Sequence, residues 1–203
     1  KAFQISRGIF DRVSLDLIYG RQYQALSQWE KELRQALSME LEHVSLYQLT
    51  IEGNTTFGKL QKLGKLKGLP NEDLAAQFYE TTQEICKDYL LFPYEVSNYA
   101  KNGFESKHNL IYWKYGDYVG VGPGAHGRLT INNLKYKTKS ISQPFYWLRN
   151  ALAGNGDELF TKIKDSEQGI EYLLFGLRIK EGILKSRYEN FFKTRPEKRI
   201  VDD

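Results

Sequence analysis

Apolar positions along the chain follow two rhythms in turn. Residues 12–19 (RVSLDLIY) are rich in β-branched and aromatic side chains and close on Gly20, which predicts a buried strand. Over 24–39, Leu26, Trp29, Leu33, Ala36 and Leu37 recur at helical spacing, and Ser27 is the expected cap. Residues 43–49 (HVSLYQL) predict a second strand. Strand, helix and strand in that order form a βαβ unit, which favours parallel pairing.

Farther along, Gly53, Gly58, Gly64, Gly68 and Pro70 loosen the pattern, so 51–70 is expected as a loop with one short helix. Asn71 then caps a helix to about residue 90, with acidic residues in its first turn and Leu74, Phe78, Thr82 and Ile85 on one face. Strands are expected at 93–97 and 118–121, and an antiparallel hairpin over 129–137 about Asn132 and Asn133. Residues 143–153 and 166–177 predict helices, and 194–203 carries no apolar period and is expected to fray. The expected class is α/β: β/α units followed by a mostly helical carboxy-terminal part. Three or four parallel strands cannot close a barrel, which needs about eight, so an open edge and a fragment are expected.

Composition narrows this picture. With 41% hydrophobic and 27% charged residues, the 203-residue chain is globular in type. Its net charge of +4 comes from lysines spread over 59–67, 135–139 and the tail, a pattern expected of solvated surface rather than of nucleic-acid binding. Cys86 is the sole cysteine, so these residues supply neither an internal disulfide nor a multi-thiolate metal or iron–sulfur site. It is expected in the core, in a reducing compartment. No apolar run approaches the roughly 20 residues that span a bilayer.

Several polar residues interrupt the apolar pattern. Asp16 sits within the first strand, where a carboxylate either receives a ligand at the carboxyl end of a parallel sheet or caps a loop. Gln48 and Thr50 end the second strand on the side of Leu46, and Glu95 lies in the third with Asn98 just past its end. His43 opens a strand and is expected at a surface or edge. His108, Asn109, Tyr112 and Trp113 fall within six residues; an imidazole with aromatic neighbours suits a haem iron and a flat macrocycle. The competing expectation is two core aromatics beside a surface histidine, and composition alone favours it. In the glycine-rich 120–127, which contains His126, backbone amides approach a ligand or simply make a sharp turn. The spacing matches neither a dinucleotide fingerprint nor a P-loop.

Taken in order, SLDLIYG at 14–20, HVSLYQLTIE at 43–52, YEVSNYAKNGFESKHNLIYW at 94–113 and YGDYVGVGPGAHGRL at 115–129 resemble one family. They are similar to the later part of the HemW-type haem chaperones, radical S-adenosylmethionine (radical-SAM) proteins related to oxygen-independent coproporphyrinogen III oxidase. EYLLFGLRIKEGI at 171–183 resembles the start of that family's small carboxy-terminal domain. The resemblance implies later units of a partial radical-SAM (β/α)6 barrel with a HemW-specific segment over 1–130. A hairpin, helices and an incomplete winged-helix-like region then follow over 131–203. It implies S-adenosylmethionine near Asp16, and near Thr50 and His126, although these two differ in type from the family's residues. The family's [4Fe–4S] cluster sits on a CxxxCxxC loop absent from these residues.

The motif HNxxYW implies haem binding by His108, Asn109, Tyr112 and Trp113, with His108 on the iron. Implied partners are haem or porphyrin, a haem-acceptor protein and a polypeptide supplying the rest of the barrel. The implied location is the cytoplasm, and no residue is assigned to catalysis. The alternatives are an oxidase-like enzyme that decarboxylates porphyrinogen propionates, or a remnant inactive by itself. Arg21-Gln22-Tyr23-Gln24-Ala25 stands where the family has a Leu-Pro-Gly-Gln-Thr-like loop, and the carboxy-terminal module stops short after Ile183. Both ends are therefore expected to be cut.

Overall fold

The computed structural model describes residues 1–192, so the end expected to fray lies outside the described part. The chain forms two compact units, Lys1–Ser106 and a second that begins at Lys107.

The first unit starts with a short helix α1 (Ala2–Arg7), then the expected βαβ unit of β1 (Ser14–Tyr19), α2 (Leu26–Leu37) and β2 (His43–Gln48). β1 and β2 pair in parallel, with Ser14 opposite His43 and Tyr19 opposite Gln48. The cap of α2 differs from expectation. Ser27 lies inside the helix, and the N-cap is Ala25, whose N–H donates to Gln28 Oε1 at 2.9 Å. A glutamine three residues into the helix thus supplies the reciprocal half of a capping box, taking up the N-cap N–H, while no side chain caps the helix's own first N–H groups.

Helix α3 (Thr56–Lys62) is the short helix expected within 51–70, and α4 (Glu72–Asp88) follows. Asn71 caps α4 as expected, its side chain accepting from the Leu74 N–H at 2.9 Å. The apolar stripes of α2 and α4 meet the β1–β2 face that carries Tyr19, Val44 and Leu46. Trp29, Leu33 and Phe78 are fully buried there, and the Trp29 indole donates to Thr82 Oγ1 at 2.8 Å. Cys86 belongs to this core, as expected.

The single strand expected at 93–97 is instead a tight hairpin of β3 (Phe92–Pro93) and β4 (Asn98–Ala100), and β4 runs antiparallel to β2. The reason is Glu95. Its buried carboxylate accepts from the Ser97 N–H at 2.9 Å and from the Asn98 side-chain amide, holding residues 95–97 as the turn.

In the second unit, α5 (Lys107–Trp113) precedes a three-stranded antiparallel sheet of β5 (His126–Ile131), β6 (Leu134–Ser140) and β7 (Asp157–Lys162). β5 and β6 are the expected hairpin, and Asn132 and Asn133 take the positive φ of its two-residue turn. β7 was not expected, because every residue in it is exposed and no burial rhythm marks it. The strand expected at 118–121 reduces to one bridge, Tyr118 to Arg128. Helices α6 (Pro144–Leu152) and α7 (Asp165–Gly176) match expectation, and α8 (Lys185–Phe192) closes the described chain.

The lysine-rich β6 is not simply solvated surface. Lys135 is buried, donates to Asp117 at 2.8 Å and lies 4.3 Å from the Tyr115 ring centroid.

Candidate functional site

In the first unit the helices cover one face of the sheet, and the other face carries the polar residues. Alternation places Ser14, Asp16 and Ile18 of β1 beside His43, Ser45 and Tyr47 of β2 on that second face. Asp16 is exposed in mid-strand and is not at the carboxyl end where the sequence suggested a ligand would gather. It lies four residues, or about 13 Å along a strand, before Gly20.

His43 is not a free surface residue. Its Nδ1 meets Ser14 Oγ at 2.7 Å and its Nε2 meets the Tyr94 hydroxyl at 2.9 Å. Burial, and then the positive charge of Arg12, push its pKa below the ordinary histidine value. The imidazole is therefore neutral near pH 7, one nitrogen donating and the other accepting.

The carboxyl ends of β1 and β2 open into a separate cleft of about 350 Å³, lined by Gly20, Gln48, Thr50, Gln61 and Pro70 among others. Gly20 has φ +70°, and a Cβ there would touch Gln48 and Pro70 at 3.6 Å. Thr50 thus sits at the mouth expected of an α/β ligand site. Gln48 shares its side of the strand with Leu46, as expected, but that is the side away from Asp16.

The second unit holds His108, Asn109, Tyr112, Trp113 and His126. Helix α5 divides the HNxxYW residues between two flanks. Tyr112 is one turn after His108, about 40° around the axis, whereas Trp113 is about 140° around. On one flank the exposed His108 meets the Tyr112 hydroxyl through Nε2 at 3.0 Å, with the two rings edge to face at 4.9 Å. Tyr118 extends this aromatic cluster, its ring 4.5 Å from that of Tyr112. On the other flank Trp113 faces Phe175 at 6.1 Å, and Arg178 sits 4.6 Å above its ring. Of the three rings only His108 is exposed; Tyr112 and Trp113 are both half-buried, on opposite flanks of α5.

The glycines of 120–127 mainly permit close backbone packing. A Cβ on Gly120 would fall 2.5 Å from the His126 carbonyl oxygen, and one on Gly127 would strike the Thr138 hydroxyl. The Gly124 and Ala125 amides are engaged by the Ile141 and Gly122 carbonyls, so they are not free for a ligand. His126 is exposed at the start of β5.

Beside α5 lies a cluster with no counterpart in the sequence expectations. Arg128 grips Glu171 through Nε at 3.0 Å and Nη2 at 2.7 Å, and the Tyr115 hydroxyl donates to the same carboxylate at 3.0 Å. Burial alone would raise the Glu171 pKa, but the bonds from Arg128 and Tyr115 outweigh it and hold it below the ordinary value. Residues 13 to 56 positions apart build this cluster, and no local spacing announces it.

Among the described residues no three His, Cys, Asp or Glu side chains gather as a metal site. Cys86 does not suit a cluster either, because burial raises its thiol to about 12. No helix among the described residues is long and apolar enough to cross a membrane.

No family model matches the chain. Individual relatives do. Heme chaperone HemW of Lactococcus lactis is 34% identical over 197 residues, covering 96% of this chain and 50% of the relative. Radical S-adenosyl methionine domain-containing protein 1, mitochondrial, of Danio rerio is 34% identical over 186 residues, covering 89% of this chain and 41% of the relative. The Escherichia coli HemW is 41% identical over 118 residues, 58% of this chain and 30% of that protein. The chain therefore spans about half the length, or less, of these relatives. Among solved structures, the radical-SAM enzyme coproporphyrinogen III oxidase (HemN) of Escherichia coli aligns with a TM-score of 0.70. It is 14% identical, and the match covers 94% of this chain and 46% of that one, a likeness of fold.

Proposed function

Since the chain belongs to the HemW-type radical-SAM family over the stretch it shares with these relatives, we propose that it handles haem through His108. In this proposal it passes the haem to an acceptor protein in the cytoplasm. The observation that carries the proposal is the exposed His108 imidazole on α5, with Tyr112 and Tyr118 forming an aromatic flank beside it. An iron in porphyrin needs only one or two further ligands, and imidazole is a usual one. Nε2 becomes available once it releases the Tyr112 hydroxyl, and Nδ1 has no hydrogen-bond partner among the described residues.

The proposal gives each residue of the motif a part. Tyr112 orients the ring, Asn109 lies next to it on the helix, and Trp113 braces α5 against α7 from the far flank. The reading of residues 1–130 as later units of a radical-SAM barrel runs past the boundary between the two units at Ser106; within the first unit it assigns Asp16 and the strand-end Thr50 to S-adenosylmethionine. A carboxylate on an open sheet face can accept hydrogen bonds from hydroxyls such as those of S-adenosylmethionine. His126 lies in the other unit, and its part in that cofactor site rests on resemblance alone.

The test is a haemin titration followed at the Soret band. The chain is expected to give a saturable one-to-one band, and His108→Ala to abolish it. Equal spectra from both proteins would remove His108 from the proposal. Tyr112→Phe, which keeps the ring and loses the hydroxyl, is expected to retain the band.

A further inference from the structure

The far flank of α5 opens onto a cleft of about 290 Å³ that the haem proposal does not use. Tyr172 and Ile179, both nearly fully buried, form its floor, while Leu184 and Glu181 lie exposed at its rim. Arg187 projects from α8 into the lining. Its guanidinium is held by the Lys114 carbonyl at 3.1 Å and the Tyr115 carbonyl at 3.4 Å, and lies 4.7 Å above the Tyr172 ring.

Side-chain donors in this cleft have capacity to spare. Arg187 makes no ion pair with a described carboxylate, and two carbonyls engage only part of its five-donor fork. The Trp113 ring lines the wall, its indole N–H fully buried behind the lining and without an acceptor. The Tyr172 hydroxyl accepts from the Leu184 N–H at 2.9 Å, which leaves its own proton to give. The one acidic residue in the lining, Glu181, is already paired with Lys114 at 2.9 Å. Donors without acceptors, a fixed guanidinium and apolar walls together describe a receptor for an anion that carries an apolar body.

We propose that this cleft binds the carboxylate of a small aromatic or aliphatic acid, with Arg187 as its charge partner. The volume is near the lower end for small-molecule sites and suits one ring better than a macrocycle. The planar fork of Arg187, already aligned over an aromatic face, loses little freedom when it grips a carboxylate. The site faces away from His108 and stands independently of the haem proposal.

Benzoate is the probe, with neutral benzamide as its control, and the readout is the amide and indole N–H spectrum of the full chain. Millimolar benzoate is expected to shift the Trp113 indole and Leu184 amide signals saturably, while benzamide leaves them in place. Arg187→Gln is expected to weaken benzoate by about tenfold or more, the scale of one charge-assisted pair. Leu184→Trp, which keeps Arg187 and its carbonyl bonds but crowds the mouth, is expected to lose benzoate as well. His108→Ala is expected to bind benzoate normally, so failure here and failure of the haem proposal are told apart. Equal shifts from benzoate and benzamide, or undiminished binding by Arg187→Gln or Leu184→Trp, would overturn the assignment.

Discussion

Trp29→Ala is expected to cost about 3–5 kcal/mol, the range for emptying a fully buried large aromatic site. Trp29 is 0% exposed, stands 5.2 Å from the Tyr19 ring, and lies between α4 and the helix-covered face of the β1–β2 sheet. Its loss leaves a cavity that neither helix can close without giving up its own contacts. The Thr82 hydroxyl is not orphaned by the change, since it still donates to the Phe78 carbonyl at 2.6 Å. Trp29→Phe is therefore a milder step: about 1 kcal/mol for the lost indole bond, plus a smaller void. Urea unfolding checks both, as a lower midpoint at unchanged slope. A loss below 1 kcal/mol for the alanine variant would mean that this core is looser than its burial indicates.

The second large effect belongs to Glu171. Glu171→Gln removes the charge from a carboxylate whose side chain is 16% exposed and leaves Arg128, 14% exposed, without its counter-charge. Breaking one side of such a largely covered pair costs about 2 kcal/mol, below the range for a fully buried one, because the remaining charge is only partly solvated. Replacing both, as Arg128→Met with Glu171→Leu, is expected to recover most of that loss.

The pH dependence has a definite sign. The folded pKa of Glu171 is depressed, so its contribution is fully present above the unfolded value of about 4.3 and fades as pH falls through the lower folded value. Acid unfolding of the parent chain is therefore expected to steepen below about pH 4. The Gln variant lacks that component of the slope, which thermal unfolding from pH 3 to pH 7 would reveal.

How much of this was legible in the sequence depends on range. β1, α2, β2 and α4 announce themselves because their apolar period is sustained over six to seventeen residues against one core. β3 and β4, of two and three residues, are too short to carry any period, and their antiparallel course rests on a buried glutamate whose partners the sequence does not name. β7 is invisible for the opposite reason, since no face of it is buried. At the candidate site, the motif residues could be read as a set but not as a geometry. Helical rotation puts His108 with Tyr112 and sends Trp113 to the other flank, which follows only once residues 107–113 are known to be helical. Lys135 and His43 were both expected at the surface, and long-range partners, Asp117 for one and Ser14 and Tyr94 for the other, draw them inward.

The central claim, that His108 is the haem-iron ligand, is tested most directly by chemical rescue. His108→Gly leaves a space where the imidazole stood and removes nothing from the packed flank that Trp113 occupies. In titrations against haemin, corrected for imidazole binding to free haemin, this variant is expected to lose the parent Soret band and to regain it when imidazole is added. A parent-like spectrum from His108→Gly without imidazole, or no recovery with it, would contradict the account.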